Sequence, residues 1–329
     1  MATISRIDFK AVETSRSLTA KVLRDWCAPQ LILAVTNLSD EDTLLFHAIR
    51  QARRTTAKVL LAHVLEGRLS RAGLTSRTMG STYSADFAMR SLERMAYKLR
   101  WVGIPCEPVL LKGDPAEEIL AVAKSRAVHR ILLTVRSEKR PLGRTLPEEI
   151  APWAGVPVCV VRESDSPVVK CDRPVREITL ALSLHSDCDT SLAFAGRLAQ
   201  EHDAALTLLH VIEGSEDSEF IDPGPEAIAS LLPAGALREA ELLCPLEIVV
   251  RQGDPAREIL RFGADTNQDF IILGVPQSPC AVGSEEVSVA HRVLNETRCS
   301  AIMLGPSHAR WDTMEVTSIV SGFPHAFVA

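Results

Sequence analysis

The sequence repeats itself, and this restricts its fold more than any other feature. LILAVTNLSDEDTLLFHAIRQA, from Leu31, aligns without gaps to ITLALSLHSDCDTSLAFAGRLA, from Ile178, and the same offset sets His63 of LLAHVLEG opposite His210 of LTLLHVIEG. Further on, KGDPAEEIL and QGDPAREIL bring Gly113, Asp114 and Pro115 onto Gly253, Asp254 and Pro255, each followed by a helical stretch and an apolar run, HRILLTV or DFIILGV. Between these landmarks the second copy is seven residues shorter. VPVCVVRE, from Val156, then matches CSAIMLGP, from Cys299. Two copies of one pattern imply two copies of one fold.

Short continuous apolar runs such as VLLAHV and FIILGV suit strands covered on both faces, and their alternation with helices predicts parallel sheets with right-handed crossovers. The expected fold class is α/β, as two tandem doubly wound five-stranded parallel-sheet domains at 30–163 and 177–307. A length of 329 residues suits two domains of about 150 each. Residues 164–176 have the prolines and charges of a linker. Leu18, Val22 and Trp26, at four-residue spacing, predict a helix in an N-terminal extension, 1–29, while the tail at 308–329 has no periodicity.

A net charge of −6, with 46% hydrophobic and 24% charged residues, is globular and gives no general attraction to nucleic acid or anionic membrane. The eight cysteines are scattered, without C-x-x-C or zinc spacing, and read as buried thiols of a reducing compartment. Residues 1–26 carry charges throughout, unlike a signal peptide, and no stretch approaches the ~20 apolar residues of a spanning helix, so the expectation is cytoplasmic without membrane insertion.

In open parallel sheets ligands bind beyond the carboxyl ends of strands, where strand order reverses. That directs attention to Thr36–Ser39 and Ser183–Ser186, and to the loops opening at Thr134 and Gly274, giving one cleft per half. The duplicated G-D-P-A reads first as structure: glycine for the turn, aspartate as helix cap, proline at the first helical position. Glu117 adds a capping-box-like pattern. His63 and His210 lie within strand patterns and read as core or strand-end histidines rather than general bases. Asp40, Asp42, Asp187 and Asp189 belong to first helical turns, where the dipole favours negative charge, rather than to a metal site. Neither S-G-G-x-D-S nor H-x-G-H occurs, and no enzyme activity is expected.

Together, the strand with its short polar loop, L-x-H-V, G-D-P-A-E-E-I-L, D-x-I-I-L-G and the closing C-P-V-like strand resemble the universal stress protein family, twice over, from Leu31 to Pro306. The resemblance implies a Rossmann-like, adenine nucleotide alpha hydrolase-like fold. Its function would be binding or regulation in the stress response, with ATP or another adenine nucleotide as candidate ligand. Members hold adenine and ribose with an aspartate after the first strand and cradle phosphates with G-x-x-G-x9-G-[S/T] after the fourth. This sequence departs from both patterns. The aspartate is Thr36 in the first copy and Ser183 in the second, and the second loop reads Gly274, Gln277, Val287, Ser288. Valine enters positive φ at a steric cost, and Glu285 and Glu286 repel anions, so this loop is not expected to close around a triphosphate. The first loop, Thr134 to Thr145, carries Arg136, Lys139, Arg140 and Arg144, whose forks could replace glycine amides at an anion. The candidate cleft residues are therefore Thr36, Asn37, Gly113, Thr134, Arg136, Arg140, Arg144 and Thr145, with Ser183, Gly253, Gly274 and Ser288. Alternative functions are a regulatory module acting in trans on a membrane transporter, or an ATP-binding or hydrolysing member of the superfamily. Family homodimers join at the last strand, an exposed apolar edge, so Val156–Val161 and Ala301–Leu304 are expected to join the halves as an intramolecular pseudo-dimer. A homodimer and an unidentified protein partner are further candidates.

Overall fold

The computed structural model describes residues 3–5, 30–38, 41–66, 84–135, 145–162, 174–183, 188–214, 224–232, 237, 244–275 and 288–306. In the first half, strands β2 (Leu31–Val35), β3 (Lys58–Glu66), β4 (Cys106–Gly113), β5 (Arg130–Val135) and β6 (Val158–Arg162) alternate with helices α1 (Glu41–Thr55), α2 (Ala85–Trp101), α3 (Pro115–Ser125) and α4 (Leu146–Ile150). The second half repeats the order with β7 (Glu177–Leu182), β8 (Ala205–Ile212), β9 (Leu246–Gln252), β10 (Phe270–Gly274) and β11 (Ser300–Leu304), and helices α5 (Cys188–His202), α6 (Gly224–Leu231), α7 (Pro255–Asp265) and α8 (Val289–Glu296). Each half is a parallel doubly wound sheet, β4-β3-β2-β5-β6 or β9-β8-β7-β10-β11, as the alternation requires.

The two sheets are one. β6 and β11 pair antiparallel, with Val160 opposite Ala301, Cys159 opposite Ile302 and Val158 opposite Met303, so the halves form the expected pseudo-dimer through their last strands. Cys159 and Ile302 occupy equivalent positions and face each other on the pseudo-two-fold axis. Strand side chains alternate faces, so the sheet has two cores. Ile32, Ala34, Leu61, Leu180 and Leu208 pack with α1, α2, α5 and α6, while Leu33, Leu133, Leu209 and Ile271 pack with α3, α4, α7 and α8.

A short strand, β1 (Thr3–Ser5), pairs antiparallel with β9, where Ser5 faces Ile248 and Thr3 faces Val250. This part of the N-terminal extension is strand, whereas the helix expected around Leu18, Val22 and Trp26 lies outside the described residues. The Val59 amide donates to the Pro105 carbonyl across β3 and β4, which turns the amides of alternate residues from Cys106 outward. Pro108, equivalent to Ile248, therefore lacks an N–H on the outer edge of β4, where an added strand would require one. Ile248 has that N–H, so the arm docks on the second half and not the first.

Contacts between the halves are polar as well as apolar. Arg130 Nη2 donates to both carboxylate oxygens of Glu201 at 3.1 Å, and Arg54 donates to the Glu201 carbonyl at 3.1 Å. His291 Nδ1 donates to Glu148 at 2.9 Å while Asn295 donates to its Nε2 at 2.8 Å, which fixes the tautomer. His202 is 3% exposed at this boundary, beside the Phe270 ring. Burial, with Arg50, Arg54 and Arg130 nearby, pushes its pKa down from 6.5 to about 3. Protonation thus favours the unfolded chain: the stability this histidine contributes is whole above pH 6.5 and is lost progressively as pH falls toward 3. Below pH 6.5 it should remove about 1.4 kcal/mol per pH unit, and His202→Leu should flatten that acid limb in urea melts at pH 7 and pH 5. Equal slopes in parent and variant would refute this. Burial also raises the thiol of Cys159 to about 11, away from reactivity at neutral pH.

Candidate functional site

Strand order reverses between β2 and β5 in the first half and between β7 and β10 in the second, so each half opens a crevice at the carboxyl ends of these strands. In the second half the crevice is a cavity of about 450 Å³. It is lined by Leu182, Leu209, Val211 and Leu273 from the strands, by Pro255 and Ile259 from α7, and by Val289 and Ala290 from the first turn of α8. Ser183, Ser191, His210 and Glu213 supply its polar groups, with Gly274 on the rim. Among the described lining residues Glu213 is the one carboxylate, His210 adds an imidazole, and there is no lysine or arginine.

The histidines reveal how the two crevices differ. His63 Nδ1 donates to the Thr36 carbonyl at 2.8 Å, and His210 Nδ1 donates to the Leu182 carbonyl at 3.1 Å. Thr36 is therefore equivalent to Leu182, and Asn37 to Ser183. Sheet register agrees, because Ile32 pairs with Arg130 and Ile178 with the equivalent Phe270. The gapless alignment of the first strands, which sets Thr36 against Ser183, is one residue out, and the second half has its extra residue between β7 and α5. Because side chains alternate, a one-residue slip exchanges faces, and it was the histidine contact that the sequence could not display.

In the first half the same level of the sheet is more closed. Thr36 is 1% exposed and its hydroxyl accepts the Leu38 amide at 3.0 Å, which turns the chain through a positive φ of 65° and buries Leu38 in the core. On either side of Thr36, His63 and Thr134 are buried, and His63 Nε2 and the Thr134 hydroxyl have no hydrogen-bond partner among the described residues. Burial lowers the His63 pKa, with the bond to Thr36 acting in the opposite sense. His63 is thus a neutral core histidine.

The G-D-P-A segments behave alike. Asp114 accepts the amides of Ala116 and Glu117 at 3.0 and 3.2 Å, and Asp254 accepts that of Arg257 at 2.8 Å. Gly113 and Gly253 have φ of 155° and 140°, and a Cβ there would lie 2.6 Å from Glu118 Oε1 or 3.2 Å from Glu258 Cγ. These glycines admit a glutamate side chain of the following helix. Thr145 caps α4, and its amide and hydroxyl donate to Glu148 at 2.8 and 2.7 Å. Ser288 caps α8, accepting the His291 amide at 3.1 Å. Arg136, Arg140 and Arg144, together with the loop from Gln277 to Val287, lie outside the described residues. The structure therefore gathers Ser183 and Gly274 at the second-half cavity, with Ser288 capping the helix beside it, and places Thr36, Asn37 and Thr134 at the first-half crevice. Sequence reading passed over Ser191 and Glu213. Glu213 follows the second-half L-x-H-V-I and was visible as the first charge beyond that strand.

Among the described residues no group of three or more His, Cys, Asp or Glu could hold a metal ion, and no helix is long and apolar enough to cross a membrane. The chain resembles several solved structures at the level of fold. A universal stress protein from Archaeoglobus fulgidus DSM 4304 is 17% identical over 84% of this chain and 98% of that one, with a TM-score of 0.64. A putative universal stress protein from Pseudomonas aeruginosa UCBPP-PA14 is 18% identical over 86% and 95%, with a TM-score of 0.56. A functionally unknown protein from Pseudomonas aeruginosa PAO1 is 16% identical over 86% and 95%, with a TM-score of 0.55. No curated protein matches the chain. The model of the universal stress protein family matches residues 30–169 and again 174–304, and with two copies of its domain the chain belongs to that family as a tandem member.

Proposed function

We propose that the protein is a non-catalytic ligand-binding regulator, with domains at 30–163 and 177–307, whose binding site is the second-half cavity and whose ligand is an uncharged nucleoside rather than a triphosphate. One observation carries this reading: the described lining offers apolar side chains, two serine hydroxyls, the His210 imidazole and the Glu213 carboxylate, with no lysine or arginine for phosphate. A volume of about 450 Å³ suits a ligand of nucleoside size. The apolar lining would hold a base, and Glu213, acceptor-only when ionised, would take the hydroxyls of a ribose. Triphosphate does not fit this donor set, because the charge on Glu213 opposes an anion. In the first half, Leu38 folded over the end of β2 supports a degenerate crevice.

Calorimetric titration of the whole protein with adenosine, AMP and ATP tests this. Affinity should fall in that order, with adenosine in the micromolar range. Gly274→Trp should abolish binding without unfolding the protein, since the space beside Gly274 is open for 4 Å. ATP bound more tightly than adenosine, or adenosine binding untouched by Gly274→Trp, would overturn the assignment. Steady release of phosphate from ATP, lost on substitution in this cavity, would overturn the non-catalytic reading.

A further inference from the structure

His63 and His210 are equivalent, but one is sealed in the core and the other borders the cavity. His63, Thr36 and Thr134 stand in one row across β3, β2 and β5, and His210, Leu182 and Gly274 form the equivalent row across β8, β7 and β10. In the first half all three residues are buried. In the second half Gly274 has no side chain where Thr134 has one, and a Cβ there would meet nothing within 4 Å. The whole row becomes part of the cavity lining, and His210 is half-buried.

The hydrogen bond to β7 fixes what His210 can offer a ligand. The Leu182 carbonyl has no proton to give, so the 3.1 Å bond places the proton of the neutral ring on Nδ1 and leaves a lone pair on Nε2. The same bond anchors the ring to the β7 backbone, which gives that lone pair a set direction. Among the described residues no donor meets Nε2. Glu213 is likewise acceptor-only when ionised, while Ser183 and Ser191 can play either part. A ligand that brings an N–H to Nε2 gains a bond there. One that brings a C–H strips water from an acceptor and returns nothing, which costs affinity.

We propose that His210 determines the specificity of the second-half cavity, selecting a ligand that presents an amino group to Nε2; this rests on the nucleoside reading of the cavity given above. Purine riboside, which is adenosine without its amino group, isolates the effect. In calorimetric titrations of the whole protein adenosine should bind at least about tenfold more tightly than purine riboside, as one hydrogen bond implies. His210→Asn retains an amide nitrogen for the Leu182 carbonyl but has nothing at the place of Nε2. It should melt with the parent and bring the two affinities within about twofold of each other, because the amino group and Nε2 act as a pair. Equal affinities in the parent, or a preference that survives His210→Asn, would overturn the proposal and leave the nucleoside reading standing. If neither nucleoside binds, the nucleoside reading fails by itself, and nitrogen NMR with millimolar aniline and toluene decides the role of His210. The Nε2 resonance should shift with aniline and not with toluene, which has a methyl group in place of the amino group. No shift with aniline, equal shifts with both, or a ring protonated on Nε2 rather than Nδ1 would overturn the proposal.

Discussion

Replacing Glu201 with alanine should cost about 3–5 kcal/mol, which for a chain of this size lowers the melting temperature by on the order of 10 °C. Arg130 is 6% exposed in its side chain and Glu201 15%, so neither charge has water to fall back on. Among the described residues Arg130 Nε has no hydrogen-bond partner, and the guanidinium depends on the two bonds from Nη2 to the carboxylate. Without that carboxylate a buried cation remains unpaired. Removing both charges is a different experiment: Arg130→Met with Glu201→Leu should leave stability within about 1 kcal/mol of the parent, because desolvation of the pair consumes most of its attraction. Calorimetric melts of the single and double variants check this. If Glu201→Ala melted with the parent, the pair would have no role in joining the halves.

The same boundary should be intolerant of a single added methyl group. Gly305, just beyond β11, is buried, and a Cβ on it would lie 2.2 Å from the Ala151 carbonyl oxygen and 3.1 Å from Pro152 Cα in the first half. Both neighbours are backbone, so no rotamer change relieves the overlap and the halves must separate locally. Gly305→Ala should therefore cost about 1–3 kcal/mol, the range for overpacking, and Gly305→Val more. Gly274→Ala is the internal control, since a Cβ there meets nothing within 4 Å. Chemical denaturation of the three variants gives the comparison. Equal midpoints for Gly305→Ala and Gly274→Ala would mean that the contact between β11 and the turn after α4 is loose.

Much of the fold was legible because its causes are local. VLLAHV and FIILGV are apolar along their whole length because both faces of β3 and β10 are covered. Asp-Pro after glycine marks the start of α3 and α7, because the cap, the missing amide and the positive φ all lie within a few residues. Even the joining of the halves could be anticipated, since an apolar edge strand needs a partner. The site was less legible. Ser183 and Gly274 follow from where strands end, but the cavity's acid, Glu213, and its walls from α7 and α8 converge from segments far apart in sequence.

The sequence by itself determined the repeat, the order of strands and helices, the caps and the family, because periodicity, propensity and spacing are properties of neighbouring residues. Only the tertiary structure decided the register. His63 and His210 reach the carbonyls of Thr36 and Leu182, and this single contact moves Ser183 opposite Asn37 and changes which side chains enter the crevice. It also decided how the halves differ where they meet. Across the pseudo-two-fold axis Glu148 finds His291 and Arg130 finds Glu201, whereas a copy of the first half facing itself would set Glu148 against Glu148 and the buried Arg130 against Arg54. Such charges read in sequence as ordinary surface residues. They become a buried, complementary pairing because folding brings together positions 71 and 143 residues apart and removes the water between them.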